Sequence, residues 1–392
     1  MKRLIVFLLL SAAIVTSCGD RPGRETILRN VDPRVDSLLR IMTLDEKIGQ
    51  IVLFTSDWDV TGPTIREGYL DDIRSGRCGN IFNAYTVDYI RELQRVAVEE
   101  SRLGIPLMFG YDVVHGHKTI FPIALAESCS WDMELIRNSA SAAAAEAAAS
   151  GLNWTFAPMV DISVDPRWGR VSEGAGEDPY LGSMIAAARV NGFQGDDLAN
   201  PHTVLACVKH FAAYGAPFGG RDYNTVDMSE RQFREFYMPP YKAGVDAGAL
   251  SVMTAFNEYD GVPATGNQYL LKDLLKGEWN FQGFVVTDYT SINEMVHHGY
   301  ARDEAEAGVK AVNAGVDMDL QGEVYFSYLR GLVDSGFVRE KTIDDAVRRI
   351  LNVKAKLGLF DDPYLYCDRA RENQVVSNPE IKALSRDAAR RS

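Results

Sequence analysis

The chain has 392 residues, 46% hydrophobic and 24% charged, the balance of a soluble globular protein long enough to bury a large core. Its formal charge of −13 argues against nucleic acid, which demands a basic face, and leaves a neutral partner as the simplest one.

The chain begins with Lys2 and Arg3, an apolar run from Leu4 to Val15, the small residues Thr16 and Ser17, and then Cys18. A charged start, a short apolar stretch and a small-residue cleavage site make residues 1–18 a signal peptide, too short to span a bilayer. The Val-Thr-Ser-Cys stretch resembles the lipobox of bacterial lipoproteins, which would make Cys18 the lipidated first residue of a periplasmic or outer-membrane lipoprotein of the cell envelope. Any membrane association is expected through that anchor alone. Residues 19–34 read as a polar tether. Cys78, Cys129, Cys207 and Cys367 fit no metal-knuckle or CxxC spacing. Buried free thiols are expected at Cys129 and Cys207, and neither a metal nor a cofactor is implied.

From there on, short β-branched runs alternate with helical patterns. Strands are predicted at Ile48–Leu53, Gly79–Phe82, Pro106–Tyr111, Trp154–Val160, Val204–His210, Ser251–Phe256, Gly283–Thr287 and Val316–Leu320. Thr43 with Glu46 forms a capping box ahead of one helix. Ile90, Leu93 and Ala97 recur at helical spacing in another, and an Ala-rich helix stops at Gly151. Eight βα units in succession predict an α/β fold, a (β/α)8 TIM barrel over residues 35–365. Residues 366–392 read as a linker helix.

In such a barrel, active groups sit at the C-terminal strand ends. The third strand ends in Asp112, the fifth in Lys209-His210 and the seventh in Asp288; Asn257 follows the sixth. The loop after the fourth carries Asp165, Arg167, Trp168 and Arg170. Carboxylates, cations, an imidazole and aromatic rings on one rim suit carbohydrate, whose hydroxyls need charged hydrogen-bonding groups and whose C–H faces need rings. Asp288, held by Phe284-Val285-Val286, is the candidate nucleophile, with Lys209 placed to keep it ionised. Asp112 could bind hydroxyls or act as the acid. His115, His117, His297 and His298 lack a third ligand, and Glu173, Glu177 and Asp178 read as solvated turn carboxylates.

From Val35 onward the sequence resembles the N-terminal domain of glycoside hydrolase family three, in its periplasmic β-glucosidase branch. The marks are Thr-Leu-Asp-Glu-Lys-Ile-Gly-Gln from Thr43, Gly-Tyr-Asp-Val-Val-His-Gly from Gly110, Asp-Pro-Arg-Trp-Gly-Arg from Asp165 and Glu-Gly-Ala-Gly-Glu-Asp-Pro-Tyr from Glu173. Val-Lys-His-Phe from Val208, Ser-Val-Met-Thr-Ala-Phe-Asn from Ser251 and Gly-Phe-Val-Val-Thr-Asp ending at Asp288 complete the set. The resemblance implies a retaining hydrolase of terminal β-D-glucosyl residues, acting on β-glucosides and oligosaccharides with Asp288 as nucleophile. It assigns Asp112, Arg170, Lys209 and His210 to the glycon hydroxyls and Met253 to the pocket wall.

The sequence departs from the family pattern at Tyr289, where many relatives have Trp after the nucleophile, and at Phe256, where many have Tyr. The loop after His210 lacks the Gly-Asp-Thr signature of the family's hexosaminidases. In this branch the acid/base is a Glu on a second, α/β-sandwich domain, which is expected to lie beyond Ser392 and to be absent from the chain as given. A β-xylosidase, or a non-catalytic lipid-anchored sugar-binding protein, is the alternative reading.

Overall fold

The computed structural model describes residues 28–58 and 66–392; the signal-peptide call, Cys18 and most of the tether lie outside the described residues. Apart from a short antiparallel hairpin, Glu258–Tyr259 with Val262–Pro263, the described residues hold eight strands in chain order: β1 Val52–Thr55, β2 Asn80–Phe82, β3 Met108–Tyr111, β4 Trp154–Thr155, β5 Cys207–Phe211, β6 Ser251–Thr254, β7 Phe284–Val286 and β8 Asp319–Leu320. Parallel ladders join β8 to β1 and run on through β2 and β3 to β4. A second parallel set joins β5, β6 and β7. Single parallel bridges close both gaps, Trp154 to Leu205 and Met159 to Lys209 on one side and Val286 to Met318 on the other. The ring is therefore continuous, and the barrel expected from the alternating pattern is the observed fold.

Most strand boundaries shift by one or more residues from expectation, and two do so for identifiable reasons. Ile48 to Gln50 belong to a helix, Leu44–Gln50, because the Thr43–Glu46 capping box starts a helix whose last turn runs into the apolar stretch. Trp154–Val160 keeps only two ladder residues, since Pro158 cannot donate to a neighbouring strand.

Large rings fill the interior. Trp154 meets Phe156 and Phe284 edge-on at 4.7 and 5.2 Å, and its Nε1 donates to Ser251 Oγ at 2.8 Å. Gly110 on β3 is required here, because a Cβ would stand 2.7 Å from the Phe156 ring.

Outside the barrel, the Ala-rich helix Met133–Ala149 packs closely on helix Pro179–Gln194. The last helix, Pro379–Arg391, does find a surface: Ile381, Leu384 and Ala388 pack on Phe121 and Leu135 at the barrel's flank. Cys78, Cys207 and Cys367 are buried free thiols, but Cys129 is exposed, correcting its expected burial. It caps the short surface helix Ala124–Ser128. Among the described residues no helix is long and apolar enough to cross a membrane.

Candidate active site

A cavity of about 470 Å³ opens at the C-terminal end of the strands, and Asp112, Arg170, Lys209, His210, Met253, Asp288 and Tyr289 all line it. These were the site residues expected within the described chain. Their neighbours Asp165 and Arg167 instead form an exposed pair with each other, and Trp168 is buried beneath the rim. Asn257 is a structural residue whose amide donates to the Ala212 and Glu258 carbonyls.

Asp288 projects just past β7. Its Oδ1 accepts the Tyr289 N–H at 2.7 Å. Its Oδ2 is buried with no hydrogen-bond partner among the described residues, and His210 Nε2 lies 3.5 Å from it. A buried carboxylate oxygen left without a donor is costly in a folded interior, so such an atom marks a place where a ligand or reaction supplies the missing contact.

Lys209, expected to face Asp288, is bonded to Asp112 at 2.9 Å. Burial works against the ammonium, but the Asp112 carboxylate, aided by that of Asp288, leaves its pKa above the ordinary lysine value. The lysine is buried while half of the Asp112 side chain is open to solvent. The pair thus presents a fixed charge and a free carboxylate edge to anything entering the cavity.

His210 is oriented by a residue that sequence reasoning missed. Asp161, fully buried past β4, accepts from the His210 backbone N–H and from Nδ1, both at 2.9 Å. Its other oxygen takes the Tyr241 hydroxyl and the Tyr214 N–H. Burial raises the Asp161 pKa to about 6, against the pull of these donors. Burial, reinforced by Arg170, holds His210 well below the usual histidine range. The ring is thus neutral near pH 7 with its proton on Nδ1, and Nε2 faces the cavity as an acceptor.

Arg170 binds Glu173 through a two-point fork at 2.6 and 2.8 Å and lies over the Tyr214 ring. Glu173 is therefore not the solvated turn carboxylate it was expected to be. Burial opposes its charge, but Arg170 outweighs it and holds the pKa below the usual value. Asp178 does keep a turn role, capping helix Pro179–Gln194 through Leu181 N–H at 2.7 Å. Glu294 and Tyr223 also line the cavity, with side-chain oxygens that have no hydrogen-bond partner among the described residues. The histidines outside the cavity have ordinary partners: His115 at the Phe121 carbonyl, His117 at Ser150 and His298 at Glu258.

Fold and site together define a parallel α/β barrel whose strand ends converge on a polar, charge-paired pocket around one open carboxylate. The glycosyl hydrolase family 3 N-terminal domain matches residues 43–353, and the chain belongs to that family. It is 47% identical over 357 residues to a periplasmic β-glucosidase of Salmonella typhimurium, covering 91% of this chain and 46% of that protein. A β-xylosidase of Formosa agariphila is 38% identical over 384 residues, covering 92% of this chain and 47% of its own. Among solved structures, the β-glucosidase of Listeria innocua in complex with isofagomine superposes with a TM-score of 0.86 at 41% identity, over 91% of this chain and 50% of that one. The chain spans about half the length of the curated relatives it matches.

Proposed function

We propose that this barrel carries the nucleophile of a retaining β-glucosidase that removes terminal, non-reducing β-D-glucosyl residues. The observation that carries the reading is the Oδ2 of Asp288, buried, without a donor, and aimed into a cavity ringed by hydroxyl-binding groups. In the first step this oxygen bonds to the anomeric carbon as the bond to the aglycone oxygen breaks. In the second, water bonds to the anomeric carbon, the bond to Asp288 breaks with its electron pair returning to the carboxylate, and the water's proton goes to the same acid/base that protonated the aglycone oxygen in the first step. Asp112 with Lys209, Arg170 with Glu173, and Nε2 of His210 hold the glycon hydroxyls. Met253 forms the wall and Tyr289 faces the aglycone. The proton for the leaving oxygen comes from a Glu on an α/β-sandwich domain that follows the barrel, with residues 366–392 as the link. Without that proton donor the rate falls by about 10²–10⁴-fold for poor leaving groups.

The names of the Salmonella and Listeria relatives support glucose as the glycon, and the periplasmic one supports an envelope location, reached through a signal peptide and a lipid on Cys18. The Formosa relative keeps xylose as a second reading. The test is covalent labelling with a dinitrophenyl 2-deoxy-2-fluoro-β-glucoside, which needs no acid assistance, run beside the corresponding xyloside. A stoichiometric adduct on Asp288, lost in Asp288→Asn while glucose still binds, is the expected result. Faster labelling by the xyloside would reassign the glycon. No adduct on folded protein would leave a sugar-binding protein in place of an enzyme.

A further inference from the structure

The unpaired oxygen of Asp288 needs a donor during the reaction, and the cavity holds an unpaired phenol. Tyr223 lines it on the loop after β5, with 44% of its surface exposed and no hydrogen-bond partner for its hydroxyl among the described residues. Its position is built with care. Its ring lies tilted against Phe256 with centroids 4.4 Å apart and meets Tyr214 edge-on at 6.2 Å. Tyr214 in turn lies 5.0 Å from the His210 ring, whose Nε2 is 3.5 Å from Oδ2 of Asp288. The backbone at Tyr223 has φ +63°, a left-handed conformation that bulky residues avoid and that is retained where the surroundings enforce it. Those surroundings are visible. Trp168 Nε1 clamps Asp222 at 2.9 Å, Asn224 N–H closes on the Arg221 carbonyl, and Phe218 N–H closes on Thr225. Burial and the Asp288 carboxylate both raise the Tyr223 pKa, so the phenol keeps its proton in the cavity it shares with the nucleophile.

We propose that Tyr223 is a positioning residue that donates a hydrogen bond to the reacting carboxylate of Asp288. The proposal rests on Asp288 being the nucleophile. Its effect is asymmetric. When Asp288 attacks, its charge is consumed, so a donor that stabilises the free carboxylate gives no acceleration. When the glycosyl–oxygen bond breaks, the electron pair returns to the carboxylate and the same donor stabilises the departing charge.

The experiment separates the two steps without any acid or base. Wild type and Tyr223→Phe are labelled with the dinitrophenyl 2-deoxy-2-fluoro-β-glucoside and then reactivated with azide. Azide bonds to the anomeric carbon, the bond to the Asp288 oxygen breaks, and no proton moves. Tyr223→Phe is expected to label at the wild-type rate or slightly faster and to reactivate about 10- to 100-fold more slowly, the worth of one hydrogen bond to a charged group. Thermal unfolding run in parallel should be unchanged, since the hydroxyl makes no contact that stabilises the fold. Reactivation at the wild-type rate would overturn the proposal. Equal slowing of both steps would also overturn it, making Tyr223 a wall of the sugar site. Failure of the wild type itself to label would remove the nucleophile assignment and this proposal with it.

Discussion

Asp161 shows how much of the site is set by a residue that never reaches the cavity. Four donors converge on its two oxygens, and one of them fixes the tautomer of His210. In Asp161→Asn the side-chain amide can donate to Nδ1, moving the ring proton to Nε2 and turning the acceptor facing the cavity into a donor. Labelling of Asp288 should slow by about 10²-fold or more, by analogy with carboxylate-to-amide changes behind other catalytic histidines. Stability carries a second signature. The native pKa of about 6 lies above the 3.8 of a free aspartate, so the folded state binds the extra proton between those values. This site therefore stabilises the wild type most below pH about 4 and loses that contribution by pH about 6. The difference in urea midpoint between wild type and variant, followed across that range, isolates it. None of this could be read from the sequence, because Asp161 acts on residues 49 to 80 positions away. Asp288, Asp112, Lys209 and His210 were legible because each closes an apolar run at a strand end. Glu173 was misread because its partner, three residues back, gives no signal beyond the ordinary spacing of a turn.

At the scale of elements, the helix Glu340–Lys356 does more than cover the sheet. Lys354, fully buried, donates to Gln50 Oε1, the Gly79 carbonyl and the Pro106 carbonyl at 2.7 to 2.9 Å. One ammonium thus ties this helix to the segments that lead into β1, β2 and β3. Burial without a carboxylate partner lowers its pKa to about 7, against about 10.4 in an unfolded chain. Between those values the unfolded state binds more protons, so stability from this site rises with pH over that range. Lys354→Met should abolish that slope, read as the difference in denaturation midpoint between pH 7 and pH 9. It should also cost about 1–3 kcal/mol through the acceptors left unpaired. The existence of all eight strands was legible from periodicity, but their edges were not. Ile48 is as apolar as any strand residue, and only the capping box that begins five residues earlier, at Thr43, decides that it is helical. The Trp154–Val160 run is continuous in hydrophobicity, yet Pro158 breaks its ladder.

Across the whole molecule, one core cluster extends from Val35 to Cys367, whereas the closing helix Pro379–Arg391 rests on a separate small cluster of Phe121, Leu135 and Ala388. The order of βα units made the barrel legible because parallel neighbours need a covering helix between them. The docking of the final helix was not legible, since its partners lie some 250 residues earlier and about half of its own residues are charged. This division predicts unequal stability. A chain ending at Val376 loses the partly buried Ile381 and Leu384, the buried Ala388 and the hydrogen bond from Ser377 N–H to Glu146 at 2.9 Å. Burial of that size is worth about 2 kcal/mol. Such a chain should unfold at slightly lower urea and still label at Asp288 at the full rate, because the cavity draws no residue beyond Leu320. Hydrogen exchange should show the same order, with amides of Pro379–Arg391 exchanging well before those of β5 and β6. Loss of labelling in the shortened chain, with the barrel still folded, would instead mean that the helix transmits its docking to the rim through Glu146. That carboxylate also accepts the N–H groups of Lys118 and Thr119 in the loop that follows Asp112, and Ser385 of the tail donates to the Ile120 carbonyl in the same loop.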